Sequence, residues 1–147
     1  MKISKLLSTD RIVDLAAFDK QAALKELCGV LATSKNVADA KAFQKAILDR
    51  EAILSTGIGL GLAVPHAKVA SVRDFAVAVG RSKAGIEWDS LDGRPVTIVV
   101  MIAANDRQTT EYTKVLASLV SKVKPDEVRL KILAAANPQE IVDILAD

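Results

Sequence analysis

The sequence is poor in the residue types that build disulfides, metal centres and nucleic-acid surfaces. One cysteine and one histidine in 147 residues exclude an intramolecular disulfide and argue against a zinc site, which needs several such ligands. Three Phe, one Trp and one Tyr provide no row of rings on which bases could stack. Twenty Lys and Arg against 18 Asp and Glu give a net charge of +2, so we expect no nucleic-acid partner.

Long apolar runs are also missing. No stretch approaches the ~20 consecutive apolar residues needed to span a bilayer, and the N-terminus carries Lys2 and Lys5 without the apolar core of a signal peptide. We therefore expect no membrane insertion. The single cysteine favours a reducing, cytoplasmic location. Cys28 lies in the apolar pattern of a helix, where we expect it to be structural.

Five helices and three strands are predicted. The predicted helices are 20–33 with Asp19 as its cap, 39–52, one capped by Thr109 or Thr110, one opened by Pro125, and Pro138–Leu145. The predicted strands follow the loop 57–64 and cover 75–80 and Val96–Ala104. Helices, then strands, then helices again indicate an α/β fold around a small mixed sheet. With no repeat or linker, one domain fills residues 1–147.

The segment STGIGLGLAVPH, from Ser55 to His66, is the most informative part of the chain. It places the only histidine just after a glycine-rich loop, at the end of a short apolar strand. A neutral imidazole is the one side chain here that can act as a nitrogen nucleophile near pH 7. Pro65 stiffens the backbone before it, and alternating glycines let backbone N–H groups approach an anion. The combination predicts phosphoryl transfer through a phosphohistidine, with His66 as the catalytic residue.

Other interpretations of this segment were weighed on spacing. The glycines also suit a plain hairpin or bulge. A dinucleotide fingerprint lacks its third glycine, because Leu62 or Val64 stands there, and this loop precedes a strand where that fingerprint needs a helix. A P-loop and a hydrolase nucleophile elbow are both missing. Asp89, Asp92 and Asp106 have the setting of turn residues more than of magnesium ligands.

Residues just before the glycines could serve an incoming phosphoryl group. Arg50 offers a planar guanidinium, or complements the dipole of the helix that it ends, and both roles stay open. Ser55 and Thr56 add hydroxyl donors, so we predict Ser55, Thr56 and Gly57 as phosphoryl-binding residues. Glu51 is expected to be a solvated or capping charge.

Residues 50–66, REAILSTGIGLGLAVPH, resemble the phosphorylation-site signature of type-2 IIA domains of the bacterial phosphoenolpyruvate-dependent phosphotransferase system. The similarity points to its fructose–mannitol and nitrogen-regulatory branch and continues through residues 92–96 and the closing helix. It implies a mixed β-sheet sandwiched between helices, with the site in a shallow depression. It also implies that His66 receives phosphate from an HPr-type phosphocarrier protein, with Arg50 beside it and without metal or cofactor.

One position departs from the family pattern. Members often carry a second histidine, followed by leucine, at the start of the helix after the long strand. Alignment on Leu116 and Leu119 places Tyr112 there, followed by Thr113. Tyrosine can donate a hydrogen bond to a phosphoryl oxygen but carries no positive charge at neutral pH. We therefore predict that Tyr112 binds the phosphoryl group through its hydroxyl, with less electrostatic help.

Three functions are compatible with the resemblance. The first is a phosphocarrier that passes the group from His66 to a IIB domain. The second is a regulatory module whose docking to a target protein is switched by phosphorylation, and the absence of fused IIB or IIC regions favours this nitrogen-type role slightly. The third is a degenerate binding module that no longer accepts phosphate. The replaced second histidine keeps the third open, and the intact Pro65–His66 pair argues against it.

Overall fold

A computed structural model describes residues 2–146 as one six-stranded sheet with helices on both faces. The helices are α1 (Lys20–Leu31), α2 (Ala40–Ile53), α3 (Thr109–Val123), α4 (Asp126–Ala134) and α5 (Pro138–Leu145). The strands are β1 (Ile12–Asp14), β2 (Gly57–Gly59), β3 (Leu62–Ala63), β4 (His66–Lys68), β5 (Ala76–Ile86) and β6 (Val96–Ala104). Two 3₁₀ turns, Ile3–Lys5 and Thr9–Arg11, precede β1.

The sheet is mixed, and β6 is its organising strand. The order is β1-β5-β6-β3-β2, with β4 also paired to β6. β5 runs antiparallel to β6, whereas β3 and β4 run parallel to it along successive stretches. β1 pairs in parallel with β5, and β2 forms an antiparallel hairpin with β3. The mixed sheet between helices that the sequence predicts is confirmed.

Alternate residues of β6 face different helical layers. Ile98, Val100 and Ile102 pack in the cluster that contains the inner faces of α3, α4 and α5. Val99 and Met101 pack in the cluster that contains the inner faces of α1 and α2. All five side chains are buried, which explains why this strand is continuously apolar instead of alternating.

Short polar side chains start three of the helices. Asp19, Asp39 and Asn137 each accept a hydrogen bond from a backbone N–H of the first helical turn, which satisfies a donor that has no partner within the helix. The prediction for α3 was wrong in its cap. Its N-cap is Gln108, with no capping side-chain bond to the helix, and Thr109 is already helical.

The remaining differences concern short or twisted elements. β1 was not predicted, and β5 continues to Ile86 instead of ending at residue 80. The predicted loop 57–64 is a hairpin, with a register shift between Gly57 and Gly59. Three-residue strands and irregular pairs carry too little period-two pattern to be seen in a sequence.

Two buried side chains join distant parts of this frame. Arg81 on β5 donates to both carboxylate oxygens of Asp14 on β1 and to the carbonyls of Ile132 and Ala135 at the end of α4. Cys28 is buried beneath α1 with its Sγ 3.9 Å from the sulfur of Met101. Burial raises the pKa of the Cys28 thiol to about 12, which fits the structural role expected for it.

Within residues 2–146, no helix is both long and apolar enough to cross a lipid bilayer.

Candidate functional site

The register of β4 on β6 decides where His66 points. His66 pairs with Ile102 and Lys68 pairs with Ala104, and paired residues of neighbouring strands project from the same face of a sheet. Ile102 and Ala104 face the α3 layer, so His66 and Lys68 also project towards α3. Tyr112, in the first turn of α3, lies there, with its ring centroid 5.6 Å from that of His66.

The backbone on both sides of Pro65 is fixed by hydrogen bonds. The Val64 N–H donates to Thr56 O at 3.1 Å, and the Ile102 N–H donates to Pro65 O at 3.0 Å. His66 therefore opens β4, and does not end the preceding apolar strand as the sequence suggested, because β3 stops at Ala63. The half-buried imidazole leaves a rigid stretch of main chain.

A backbone carbonyl selects the tautomer of His66. The ring Nδ1 lies 2.7 Å from Val64 O, and a carbonyl oxygen can only accept, so Nδ1 must carry the proton. In the neutral ring, Nε2 is then the nitrogen with a free lone pair. Nε2 makes no hydrogen bond to any residue that the structure describes.

The surroundings lower the pKa of His66 below its ordinary value of 6.5. Burial is the largest cause, since it disfavours the charged ring, and the positive charges of Arg50 and Lys68 act in the same direction. The Val64 carbonyl and the Glu51 carboxylate oppose them and raise the pKa. At neutral pH the ring is therefore uncharged, and Nε2 can act as a nucleophile.

Arg50 combines the two roles left open by the sequence. Its guanidinium donates to Leu54 O at 2.9 Å and so caps the C-terminus of α2. Its charge also lowers the pKa of both His66 and Tyr112, which places it near both rings. Only one guanidinium nitrogen is engaged by residues 2–146, so other N–H groups remain for an anion.

The donors of Ser55, Thr56 and Gly57 are used inside the protein. The Ser55 hydroxyl donates to Trp88 O at 2.8 Å and accepts from the Gly57 N–H at 3.1 Å. Both the N–H and the hydroxyl of buried Thr56 donate to Glu51. The prediction that these donors face a phosphoryl group needs correction, because their observed contacts build the loop beneath the site.

The glycines serve the hairpin instead of an anion cradle. Gly59 and Gly61 adopt φ of 97° and 78° in the turn between β2 and β3, a region that residues with a Cβ rarely enter. At Gly57, a Cβ would lie 2.5 Å from Ser90 Oγ and 2.9 Å from Ser90 Cα. The turn is tied down further by Asp92, whose carboxylate accepts from the Leu60 N–H at 2.9 Å.

Glu51 is the residue that the sequence reasoning misjudged. Its carboxylate is buried and accepts from both donors of Thr56 and from the Trp88 indole N–H at 2.9 Å. The Lys20 ammonium lies 3.0 Å from the same carboxylate. A signal was present in the sequence. Phe43, Ile47 and Glu51 follow one another at intervals of four residues, so Glu51 continues the buried stripe of α2.

Tyr112 lies beside His66, as the alignment on the following helix suggested. It is largely buried at the edge of the α3-side core. Burial raises the pKa of its hydroxyl to about 12 despite the opposing charge of Arg50. The hydroxyl therefore stays protonated and can donate a hydrogen bond. The Lys68 ammonium lies 5.2 Å from the centroid of the same ring.

Acidic side chains near the site belong to turns. Asp92 accepts from the backbone N–H groups of Leu60 and Arg94. Among the residues that the structure describes, no group of three or more His, Cys, Asp or Glu side chains is placed to hold a metal ion.

Comparisons with known proteins agree along the chain. The family profile "Phosphoenolpyruvate-dependent sugar phosphotransferase system, EIIA 2" matches residues 5–147. The fructose-specific EIIABC component of Bacillus subtilis (strain 168) is 39% identical over 146 residues, which are 99% of this chain and 23% of that relative. This chain thus spans only 23% of that relative's length.

Solved structures share the fold. Nitrogen regulatory protein IIA-Ntr from Neisseria meningitidis superimposes with a TM-score of 0.91 at 26% identity, over 97% of this chain and 98% of that one. Enzyme IIAMTL from Escherichia coli, solved in complex with phosphorylated enzyme IIBMTL, gives a TM-score of 0.81 over 95% of this chain and 96% of the matched chain. At 22% identity, that second likeness concerns the fold alone. Since the family profile covers nearly all of the sequence, the chain belongs to the EIIA 2 family of the phosphoenolpyruvate-dependent sugar phosphotransferase system.

Proposed function

We propose that this protein is a phosphocarrier in which Nε2 of His66 accepts a phosphoryl group from the phosphohistidine of an HPr-type donor protein. The observation that carries the proposal is the contact of Nδ1 with the Val64 carbonyl. It fixes the proton on one ring nitrogen and leaves the other as the nucleophile. The lowered pKa of His66 keeps that nucleophile unprotonated at neutral pH.

The transfer needs no external acid or base. The Nε2 lone pair attacks phosphorus in line, while the phosphorus–nitrogen bond of the donor breaks and its electron pair returns to the donor ring. A donor ring that is protonated on its other nitrogen leaves as neutral imidazole. The phosphorylated His66 keeps its proton on Nδ1 and gains positive ring charge, which the Val64 carbonyl stabilises. Atoms and charge balance, so positioning and electrostatics are the protein's contribution.

We assign two direct contacts to the phosphoryl group. Arg50 supplies a permanent positive charge and free N–H donors. Tyr112 supplies a hydroxyl that remains protonated. Ser55, Thr56 and Gly57 act through the loop that they hold together, with Glu51 beneath it. We place the exchange in the cytoplasm, as expected from the single buried cysteine.

The family has both sugar-specific and nitrogen-regulatory members, and the next step differs between them. The 39% identity to a fructose-specific component supports transfer onward to a IIB domain, the partner with which enzyme IIAMTL was solved. The close superposition on a nitrogen regulatory protein over nearly the full length of both chains supports the switch role that the sequence slightly favours. In both roles phosphorylated His66 is the active species.

The test is incubation with phosphoenolpyruvate and the general carrier proteins, followed by intact mass measurement. We expect a gain of one phosphoryl group that is labile in acid and does not form in His66→Gln. Circular dichroism of His66→Gln checks that it is folded. Adding IIB domains afterwards separates the two roles, because rapid loss of the group to one of them identifies transport. If a donor that is itself phosphorylated leaves the parent protein unmodified, the phosphocarrier proposal is wrong and the degenerate binding module takes its place.

A further inference from the structure

We propose that Lys68 is a phosphoryl-binding residue of this site, held near His66 by the face of the Tyr112 ring. The inference rests on the proposed function, because it names a second cation for the phosphoryl group on His66. It also makes Tyr112 a positioning residue, beyond the hydroxyl contact already assigned to it.

The strand register brings Lys68 to the site. Lys68 follows His66 by two residues on β4, and both project from the face of the sheet that α3 covers. The Tyr112 ring contacts both side chains, with 5.6 Å between its centroid and that of His66 and 5.2 Å to the Lys68 ammonium. One aromatic ring therefore orients both the nucleophile and a nearby positive charge.

The Lys68 ammonium has no competing anionic partner. Five ion pairs join residues in the described part of the chain, 2–146, and none of them includes Lys68. Lys68 is exposed, and its recorded contact is with the Tyr112 ring. A cation over an exposed ring is held weakly and keeps three N–H donors. Such an ammonium can turn to a phosphoryl oxygen without breaking a salt bridge.

Arg50 and Lys68 approach His66 from different elements. Arg50 comes from the end of α2 and Lys68 from β4. Both positive charges lower the pKa of His66, and the Glu51 carboxylate is the charged side chain that acts in the opposite sense. A doubly negative phosphoryl group on Nε2 would feel the same two fields as attraction. Arg50 alone would leave one side of that group facing solvent and Tyr112.

The first measurement is the rate at which saturating phosphorylated donor modifies His66, followed by intact mass. The test variant is Lys68→Met, and the matched control is Lys25→Met, which removes the same charge from an exposed position on α1. We expect Lys68→Met to be slower by about 10- to 100-fold, the effect of losing one charge-assisted hydrogen bond. Lys25→Met should keep the parent rate, and Lys68→Arg should recover most of the loss.

Tyr112 variants separate the ring from the hydroxyl. Tyr112→Phe keeps the ring face, so the further loss caused by Lys68→Met should stay as large as in the parent. Tyr112→Leu removes the face, so Lys68→Met should then add little. Full additivity of Tyr112→Leu and Lys68→Met would show that the ring does not position Lys68. A change confined to the donor concentration needed for half-maximal rate would make Lys68 a docking residue and overturn the proposal.

A second measurement does not depend on the donor. Inorganic phosphate is titrated into each unphosphorylated protein while the imidazole NMR signals are followed, and the single histidine makes their assignment unambiguous. The His66 signals should respond less in Lys68→Met than in Lys25→Met. Equal responses would overturn the role of Lys68. If no donor modifies the parent, the proposed function fails on the first measurement, and this titration still decides whether Lys68 binds phosphate.

Discussion

Replacing Glu51 by alanine should destabilise the protein more than any other removal of a glutamate side chain tested beside it. The Glu51 side chain is 3% exposed and lies beneath the catalytic loop. Its loss leaves three donors without their acceptor: the Thr56 N–H, the Thr56 hydroxyl and the Trp88 indole N–H. Lys20 suffers less, because its side chain is 21% exposed and also donates to Trp88 O.

The size of the effect follows from those contacts. A buried donor left without a partner costs about 1–3 kcal/mol, and breaking a buried ion pair from one side costs about 3–5 kcal/mol. Two buried N–H groups remain after Glu51→Ala, so we expect a loss of roughly 3–5 kcal/mol in the free energy of unfolding.

Glu51→Gln should cost less, about 1–2 kcal/mol. Oε1 accepts from both donors of Thr56, from Trp88 and from Lys20, whereas Oε2 makes only a second, 3.2 Å contact with the Thr56 N–H. An amide oxygen can take the place of Oε1, and its NH₂ group then stands where little is lost.

Urea unfolding followed by circular dichroism at 222 nm measures these losses. Fluorescence of the single tryptophan reports separately on the indole contact. Glu87→Ala is the matched control, because Glu87 is exposed next to Trp88 and its removal should change stability by less than about 0.5 kcal/mol. Equal midpoints for Glu51→Ala and Glu87→Ala would refute the claim that the buried carboxylate holds the loop.

Three further outcomes follow from the structure. Gly57→Ala should lower the free energy of unfolding by about 1–3 kcal/mol, because the new Cβ meets the Ser90 backbone at 2.9 Å, and a urea midpoint equal to that of Gly93→Ala corrected for its φ of 72° would contradict this. Arg81→Lys should cost about 1–3 kcal/mol, since lysine cannot reach Asp14 and the carbonyls at the end of α4 together, and thermal unfolding checks it. The pKa of His66 lies below 6.5, so below that pH the unfolded chain binds a proton that the folded chain still refuses. The contribution of His66 to stability is therefore complete above pH 6.5 and lost as the pH falls through the folded pKa, and an NMR titration giving a value at or above 6.5 would contradict it.

The sequence was sufficient wherever the determining residues are neighbours in the chain. Asp19, Asp39 and Asn137 mark helix starts because a capping side chain bonds to N–H groups only a few residues away. The strand Val96–Ala104 was predicted to its ends, because burial on both faces requires an unbroken apolar run. His66 also came from local signals, the proline before it and the glycines before that.

Long-range contacts were invisible by comparison. Glu51 could be placed on the buried side of α2, but its partners Lys20 and Trp88 are far away in sequence. The same holds for Lys68, which reaches Tyr112 only through the pairing of β4 with β6. The donors of Ser55 and Thr56 suggested a binding loop because a sequence does not show which hydrogen bonds are already made.

The attachment of β4 to β6 has a consequence for how such a carrier works. The acceptor atom is set in place when the chain folds, by main-chain hydrogen bonds to a central strand, and not when a visiting protein arrives. Loading and unloading can then share one geometry, with no rearrangement that would favour either direction. The direction of flow is left to the relative affinities of the two visitors for phosphate, and a rigid intermediary of this kind can serve a chain of reversible exchanges.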